Sequence, residues 1–518
     1  MRLNYRGSHA VRSIVVSILL LVGSSAVWAK QFSTGLAGLQ GAAPKTQAPQ
    51  TTAPQTSAPA AAAQVPVAQP SGLPDLSRLD QEALVWLTDL IRINTTNPPG
   101  NEAKAAQYIA AVFQREGIAS ELLEVVPGRS AVVARLRSTA LADPSRALVL
   151  LGHLDVVGVD KAKWTADPFA GVVKDGYLYG RGAIDDKGMV TANMAVFVAL
   201  KRSGVRLNRD VIFLASTDEE QGGDASIKVM IGKYWEKFAC GFAINEGGRV
   251  MVKGGKVQYV GIQASEKIPQ NVAVISRGAS GHASVPRKDN AVVHLAAAIA
   301  KIGAYEAPAK PSTIMRRYFE QLARIEDAET AKWMRALDTP DRAEHAMRIL
   351  SEMNPTWSSM LRDSIAPTML QAGIRANVVP SEARANLNIR LLPGDMIDPL
   401  VSELKKLVND PQISLEVQPD GGAPSPSSSL ETELFQVIER VAPQEFPGAI
   451  VLPYLSTGAT DSAQLRLHNV QAYGLLPFPL EEQDERRMHA DDERIPIAAF
   501  YKGIEFLYRV VTEFTQVK

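Results

Sequence analysis

Leu148-Val149-Leu150-Leu151-Gly152-His153-Leu154-Asp155 is an uninterrupted apolar run that stops on a glycine, a histidine and an aspartate. A run of that length, rich in branched residues, reads as a strand buried on both faces, and the strand is expected over Ala147–Leu151. Its polar residues then stand at the carboxyl end, where open α/β sheets bind ligands. The same arrangement recurs along the chain. Glu219 and Glu220 follow Val211-Ile212-Phe213-Leu214-Ala215-Ser216-Thr217-Asp218, and Glu246 follows Phe242-Ala243-Ile244-Asn245. Two further segments carry ligand-type residues: Gly180-Arg181-Gly182-Ala183-Ile184-Asp185-Asp186-Lys187-Gly188 and Met488-His489-Ala490-Asp491-Asp492-Glu493. Carboxylates and imidazoles are costly to cluster unless a cation neutralises them, and a divalent metal does so.

Working outward, strands are expected at Ser130–Leu136, Val211–Ser216 and Gly241–Ile244. Helices are expected at Glu82–Ile93, Ala103–Glu116 and Gly188–Ser203, from apolar residues at helical spacing with Pro or Gly at the breaks. Strand–helix alternation with continuously apolar strands predicts an α/β fold: a mixed, mainly parallel sheet flanked by helices. From about Val257 the pattern changes. Asn271–Ser276, Ala383–Arg390 and Ile413–Val417 alternate or are β-branched, and they bracket a helical stretch from Asn290 to about Ser364. That is an α+β unit with an antiparallel sheet. Alternation resumes at Ser428 and ends in a helix over Ile497–Val511. The expected organisation is a catalytic domain in two pieces, 79–262 and 422–518, with an inserted domain over 263–421.

The first residues read as a targeting segment. Arg2, Arg6 and Arg12 precede an apolar run from Ile14 to Val22, and Val27-Trp28-Ala29 offers a cleavage site, giving a signal peptide over 1–29. The run is shorter than the about 20 residues of a comfortable membrane span, so no stable span is expected after cleavage. An uncleaved anchor is the alternative. Residues 30–78, rich in Ala, Pro, Gln and Thr, read as a linker that cannot bury enough apolar surface to order itself. A bacterial periplasm is the expected location.

The whole chain of 518 residues has a formal net charge of zero, which gives no reason to expect nucleic acid as a partner. Its single cysteine, Cys240, excludes an intramolecular disulfide and reads as a buried, inert thiol. His294, His345 and His468 stand in no motif and read as structural or solvated.

Each chemical segment is ambiguous alone. His153-Leu154-Asp155 fits a metal ligand with its carboxylate partner, but equally a strand-end hydrogen bond. The three glycines around Asp185-Asp186-Lys187 permit tight backbone beside a carboxylate, but also suit a solvated turn. Glu219 and Glu220, being adjacent, diverge and suit different tasks, one binding metal and the other moving a proton.

In combination they resemble the co-catalytic zinc metallopeptidase family that includes aminoacylase I, carboxypeptidase G, acetylornithine deacetylase and succinyl-diaminopimelate desuccinylase. The likeness runs from about Leu79 to Val511. It rests on His-x-Asp at 153–155, Gly-Arg-Gly-x-x-Asp-Asp-Lys-Gly at 180–188, Glu-Glu at 219–220 and Asn-Glu-Gly-Gly at 245–248. Gly-His-Ala-Ser-x-Pro at 281–286, Asn-Val-Val-Pro at 377–380 and the late His489 complete it. The resemblance implies a zinc-exopeptidase-like catalytic domain with a lid or dimerisation domain, and two Zn2+ ions, with Co2+ or Mn2+ as substitutes. Asp185 would bridge them together with a water or hydroxide. One ion would take His153 and Glu246, the other Glu220 and His489. Glu219 would be the general base, Asp155 would orient His153, and the Asp185–Asp186 peptide would be cis. His282 would support the substrate carbonyl, often from a second subunit of a homodimer. Asn377 and Arg390 would meet the substrate carboxylate, and Gly458, in Ser-Thr-Gly-Ala-Thr-Asp (456–461), would border the substrate.

The activity so implied is hydrolysis of an amide or peptide bond next to a free carboxylate, in a small peptide or an N-acyl amino acid. A non-catalytic ligand-binding relative and an aminopeptidase are the alternatives. The retained Glu219 argues against the first, and the second lacks an evident acidic group for a substrate amine. Two departures stand out: the helical stretch from Glu306 to Asp363 is long, and so is the charged segment from Pro477 to Arg487 before His489.

Overall fold

The parallel centre of the large sheet comes from the runs quoted above. In the computed structural model, which describes residues 75–139, 143–223 and 225–517, Leu148–His153 pairs in parallel with both Val211–Ser216 and Phe242–Asn245. Gln471–Gly474 then pairs in parallel with Phe242–Asn245. The sheet has ten strands. Ser120–Val126 and Arg129–Leu136 add antiparallel on one side, and Lys256–Glu266, Arg249–Lys253, Pro479–Glu481 and Ile450–Ser456 complete the other. The mixed, mainly parallel sheet flanked by helices matches the sequence expectation.

Both faces are covered, and the side-chain period of two shows it. Leu148, Leu150, Val211, Phe213 and Ala215 enter one apolar cluster, while Val149, Leu151, Ile212 and Leu214 enter another across the sheet. The first cluster is filled by helices Ser77–Arg92, Glu102–Arg115, Lys187–Ser203 and Ile497–Thr515, the second mainly by Ile227–Phe238. Leu76 is already buried at the start of the first helix. No helix among the described residues is long and apolar enough to cross a membrane. The expected signal peptide, and the linker up to residue 74, lie outside the described residues.

A second, four-stranded antiparallel sheet runs in the order Ser364–Ala372, Glu382–Leu391, Ile268–Arg277, Ile413–Val417. Helices Ala291–Gly303 and Ile397–Val408 cover it and form a separate core. The remaining helices of this region, Thr313–Leu322, Ala328–Ala336, Pro340–Met353 and Pro355–Leu361, do not join that core. Ile314, Met315, Tyr318, Phe319 and Leu361 enter the cluster of the large sheet instead. Tyr318 meets Tyr454 of strand Ile450–Ser456 edge to face, ring centres 6.1 Å apart. The long helical stretch therefore buttresses a strand that borders the site described next.

Candidate active site

His153 and Ser216 are register partners at the ends of adjacent parallel strands, and Asn245 ends the next strand. His153, Glu219–Glu220 and Glu246 therefore emerge side by side at the carboxyl ends of the sheet's central strands. The Asp185 loop and His489 approach from outside it. The structure thus brings all five expected ligands and Glu219 into one space. Ligand atoms of His153, Asp185 and Glu220 lie within 4.8 Å of one another, as do those of His153, Glu219 and Glu246.

Asp185 is central. Its Oδ1 lies 3.1 Å from Nε2 of His153, and its Oδ2 lies 3.0 Å from Nε2 of His489. Nε2 of His489 is also 3.2 Å from the Glu220 carboxylate, and Nε2 of His153 is 3.8 Å from Glu246. One carboxylate thus offers each oxygen to a different imidazole, with a further carboxylate beside each. The Asp185–Asp186 peptide is cis. Gly182 adopts φ +89°, and a Cβ on Gly188 would stand 2.3 Å from the carbonyl oxygen of Ala183, so both glycines are required by the loop.

The electrostatics show the cost of this crowd. Burial, and then the charge of Glu246, push the Glu219 carboxyl well above its ordinary range, and burial raises Glu246 as well. The carboxylates of Asp185 and Glu220 hold His489 protonated up to about 10. Acidic groups converging in a half-buried space without enough cationic side chains fit a site for divalent cations. The donor set, imidazole nitrogens and carboxylate oxygens, suits a divalent metal ion.

Asp155 serves two neighbours. Nδ1 of His153 lies 3.0 Å from the backbone carbonyl of Asp155, and 3.5 Å from its carboxylate Oδ1. The carbonyl accepts from Nδ1–H with the carboxylate of the same residue beside it, so Asp155 fixes the ring's tautomer and orientation. The Asp155 carboxylate also accepts the backbone N–H of Glu219 at 3.1 Å and of Glu220 at 3.2 Å.

Several contributors were not anticipated. Glu493, fully buried, accepts from Arg181 Nη1 at 2.6 Å and from the backbone N–H of Gly182, Ile184 and Asp185 at 2.8–3.0 Å. Asp186 Oδ2 accepts the His153 backbone N–H at 2.9 Å. Asp461 accepts from Ser216 Oγ at 2.8 Å, and burial raises its pKa to about 7. A cavity of about 310 Å³ opens beside Asp185, Glu246 and His489, bordered further by Arg249, Tyr454 and the expected Gly458.

The other expected substrate contacts lie elsewhere. His282 is exposed on the two-residue strand Gly281–His282, paired with Val378, and the Ala283 N–H donates to the Asn377 carbonyl at 3.0 Å. The structure thus brings His282 and Asn377 together, but neither borders the cavity. Arg390 lies on the four-stranded sheet, in register with Pro269 and Ser364, its Nε donating to Asn388 Oδ1 at 3.1 Å. It does not border the cavity either.

Known proteins resemble this chain in sequence and in fold. The chain is 29% identical over 384 residues to a probable carboxypeptidase S-like protein of Dictyostelium discoideum, covering 72% of each chain. It is 28% identical over 383 residues to a human N-fatty-acyl-amino acid synthase/hydrolase, covering 71% of this chain and 74% of the other. An M20 family metallo-carboxypeptidase of Sulfolobus solfataricus shares the fold with a TM-score of 0.63 at 19% identity, over 84% of this chain and 99% of that one. Residues 149–513 match the model of peptidase family M20/M25/M40, and the chain belongs to that family, as a metal-dependent hydrolase.

Proposed function

We propose that this enzyme is a dinuclear zinc hydrolase cleaving an amide or peptide bond adjacent to a free carboxylate, in an N-acyl amino acid or a small peptide. The observation that carries the reading is Asp185, whose two oxygens face His153 and His489 separately at 3.1 and 3.0 Å. One ion would be held by His153, Asp185 and Glu246, the other by Asp185, Glu220 and His489. Bound there, a pair of divalent ions acidifies water and polarises the scissile carbonyl. Glu219 takes the proton of the attacking water and delivers it to the departing amine as the C–N bond breaks. Glu219 is half-buried, and burial with the charge of Glu246 raises its affinity for a proton. The names of the two sequence relatives, one carboxypeptidase-like and one acting on N-fatty-acyl-amino acids, support this substrate range.

The substrate carboxylate is assigned to Arg390 and Asn377, and the carbonyl to His282, reaching the site from a second copy of the chain. Exposed Met369, Leu370 and Ile374, on and beside edge strand Ser364–Ala372, support a homodimer through this domain. Export to the periplasm belongs to the same proposal, supported by the basic and apolar residues of 1–29. The test is turnover of N-acyl amino acids and dipeptides by zinc-loaded enzyme beside Glu219→Gln. Hydrolysis by the wild type and loss of at least about 100-fold in the variant is the expected result. Wild-type turnover in the variant would overturn the base assignment.

A further inference from the structure

Asn97 follows the first helix and opens the break Asn97-Pro98-Pro99-Gly100. It is 4% exposed, and its backbone N–H donates to the Val156 carbonyl at 2.9 Å, fixing it beside the loop that leaves His153. Its side-chain amide nitrogen carries two hydrogens, and both are used. One goes to Asp155 Oδ2 at 2.8 Å, the other to Asp218 Oδ1 at 2.7 Å. With two carboxylates as partners, the amide orientation is settled, since only the nitrogen donates.

Those two carboxylates hold the turn that carries Glu219. Asp155 accepts the N–H of Glu219 and of Glu220. Asp218 immediately precedes them in the left-handed region, at φ +63°, and its Oδ2 accepts the Ala225 N–H at 3.1 Å. A non-glycine residue keeps such a conformation only where its surroundings over-determine it. Arg129 adds to that, donating to Asp218 Oδ1 at 2.8 Å while pairing with the buried Glu102. Asn97 is the donor shared by Asp155 and Asp218. Without it, two buried carboxylates face one another and the turn loses its cross-link.

We propose that Asn97 is a positioning residue for Glu219: its amide ties Asp155 to Asp218 and so fixes the Glu219–Glu220 turn against strand end 153–156. The proposal rests on the reading of Glu219 as the base. It concerns rate more than substrate binding, because the hydrogen-bond partners of Asn97, which are Asp155, Asp218 and Val156, do not line the cavity. A proton-transferring carboxylate misplaced by a fraction of an ångström loses rate while the substrate still binds.

The experiment uses the zinc-loaded full chain with Asn97→Ala, Asn97→Ser and Asn97→Asp, beside Glu219→Gln. Zinc per chain, kcat and KM on an N-acyl amino acid, and hydrogen exchange of the peptide covering 216–222 are measured. In Asn97→Ala, zinc content and KM hold, kcat falls about 10–100-fold, and exchange at the Glu219 and Glu220 amides quickens. Asn97→Ser, which keeps one donor, falls less, and Asn97→Asp falls at least as far as the alanine variant. If the alanine variant does not fold, the serine variant carries the same comparison. Wild-type kcat in the alanine or serine variant, with Glu219→Gln inactive, overturns the role of Asn97 alone. A kcat loss that only tracks lost zinc overturns it too. Wild-type turnover in Glu219→Gln overturns the base reading, and this proposal with it.

Discussion

Glu493 accepts the backbone N–H of Asp185 at 3.0 Å, across 308 residues of sequence. It lies four residues after His489, so one buried carboxylate ties the segment bearing His489 to the loop bearing Asp185, the two residues that face each other at 3.0 Å. Its charge is matched by Arg181, which is 1% exposed. Glu493→Gln leaves that guanidinium buried and unpaired, and breaking such a pair costs about 3–5 kcal/mol. The expected outcome is a lower Tm by calorimetry together with weaker zinc binding by titration. An unchanged zinc affinity would show that the loop holds Asp185 without Glu493.

Metal removal is expected to destabilise the fold as well as stop turnover. The carboxylates of Asp185, Glu220 and Glu246 share one space with too few cationic neighbours. An ion bound only by the folded state adds about 4 kcal/mol at a free concentration 1,000 times its Kd. Chelation should lower Tm, and added zinc should restore both Tm and rate. Equal melting of chelated and loaded protein would contradict this.

Asp80 gives a pH dependence away from the site. Burial, then the charges of Glu505 and Asp75, raise its carboxyl from 3.8 to about 7, and its Oδ1 is buried without a partner. The folded state therefore holds a proton that the unfolded state releases above its ordinary pKa. Stability from this group is full at low pH and is lost as pH rises through about 7. Asp80→Asn removes that loss, so its Tm advantage over wild type should grow from about pH 5 to about pH 8. A constant difference would mean that Asp80 is ionised throughout.

The proposed dimer has a direct check. Leu370 is 61% exposed on edge strand Ser364–Ala372. Leu370→Lys should convert a dimer to monomers in analytical ultracentrifugation and reduce turnover, with zinc content intact. A wild type that sediments as a monomer at full activity would remove the partner's role.

The parallel core was legible because Leu148–Leu151, Val211–Ala215 and Phe242–Ile244 are buried on both faces and so are continuously apolar. The ligand-type residues stood out because each breaks or follows such a run. Glu493 and Asn97 gave no comparable signal. A glutamate in a charged segment reads as solvated, and an asparagine before two prolines reads as a helix stop, while their partners lie far away in sequence. The helices of 313–361 were legible as helices, but not as part of the large sheet's core. Periodicity marks an apolar face without saying which element covers it. Spacing and the family resemblance both put Asp155 beside His153, and the fold adds that its carboxylate also holds the backbone of Glu219.

The most direct measurement is anomalous diffraction from crystals of the zinc-loaded enzyme, collected at the zinc edge. The expected result is two peaks about 3.5–4 Å apart, one beside His153 and Glu246, the other beside Glu220 and His489, with Asp185 between them. A single peak, or none touching Asp185, would contradict the dinuclear site.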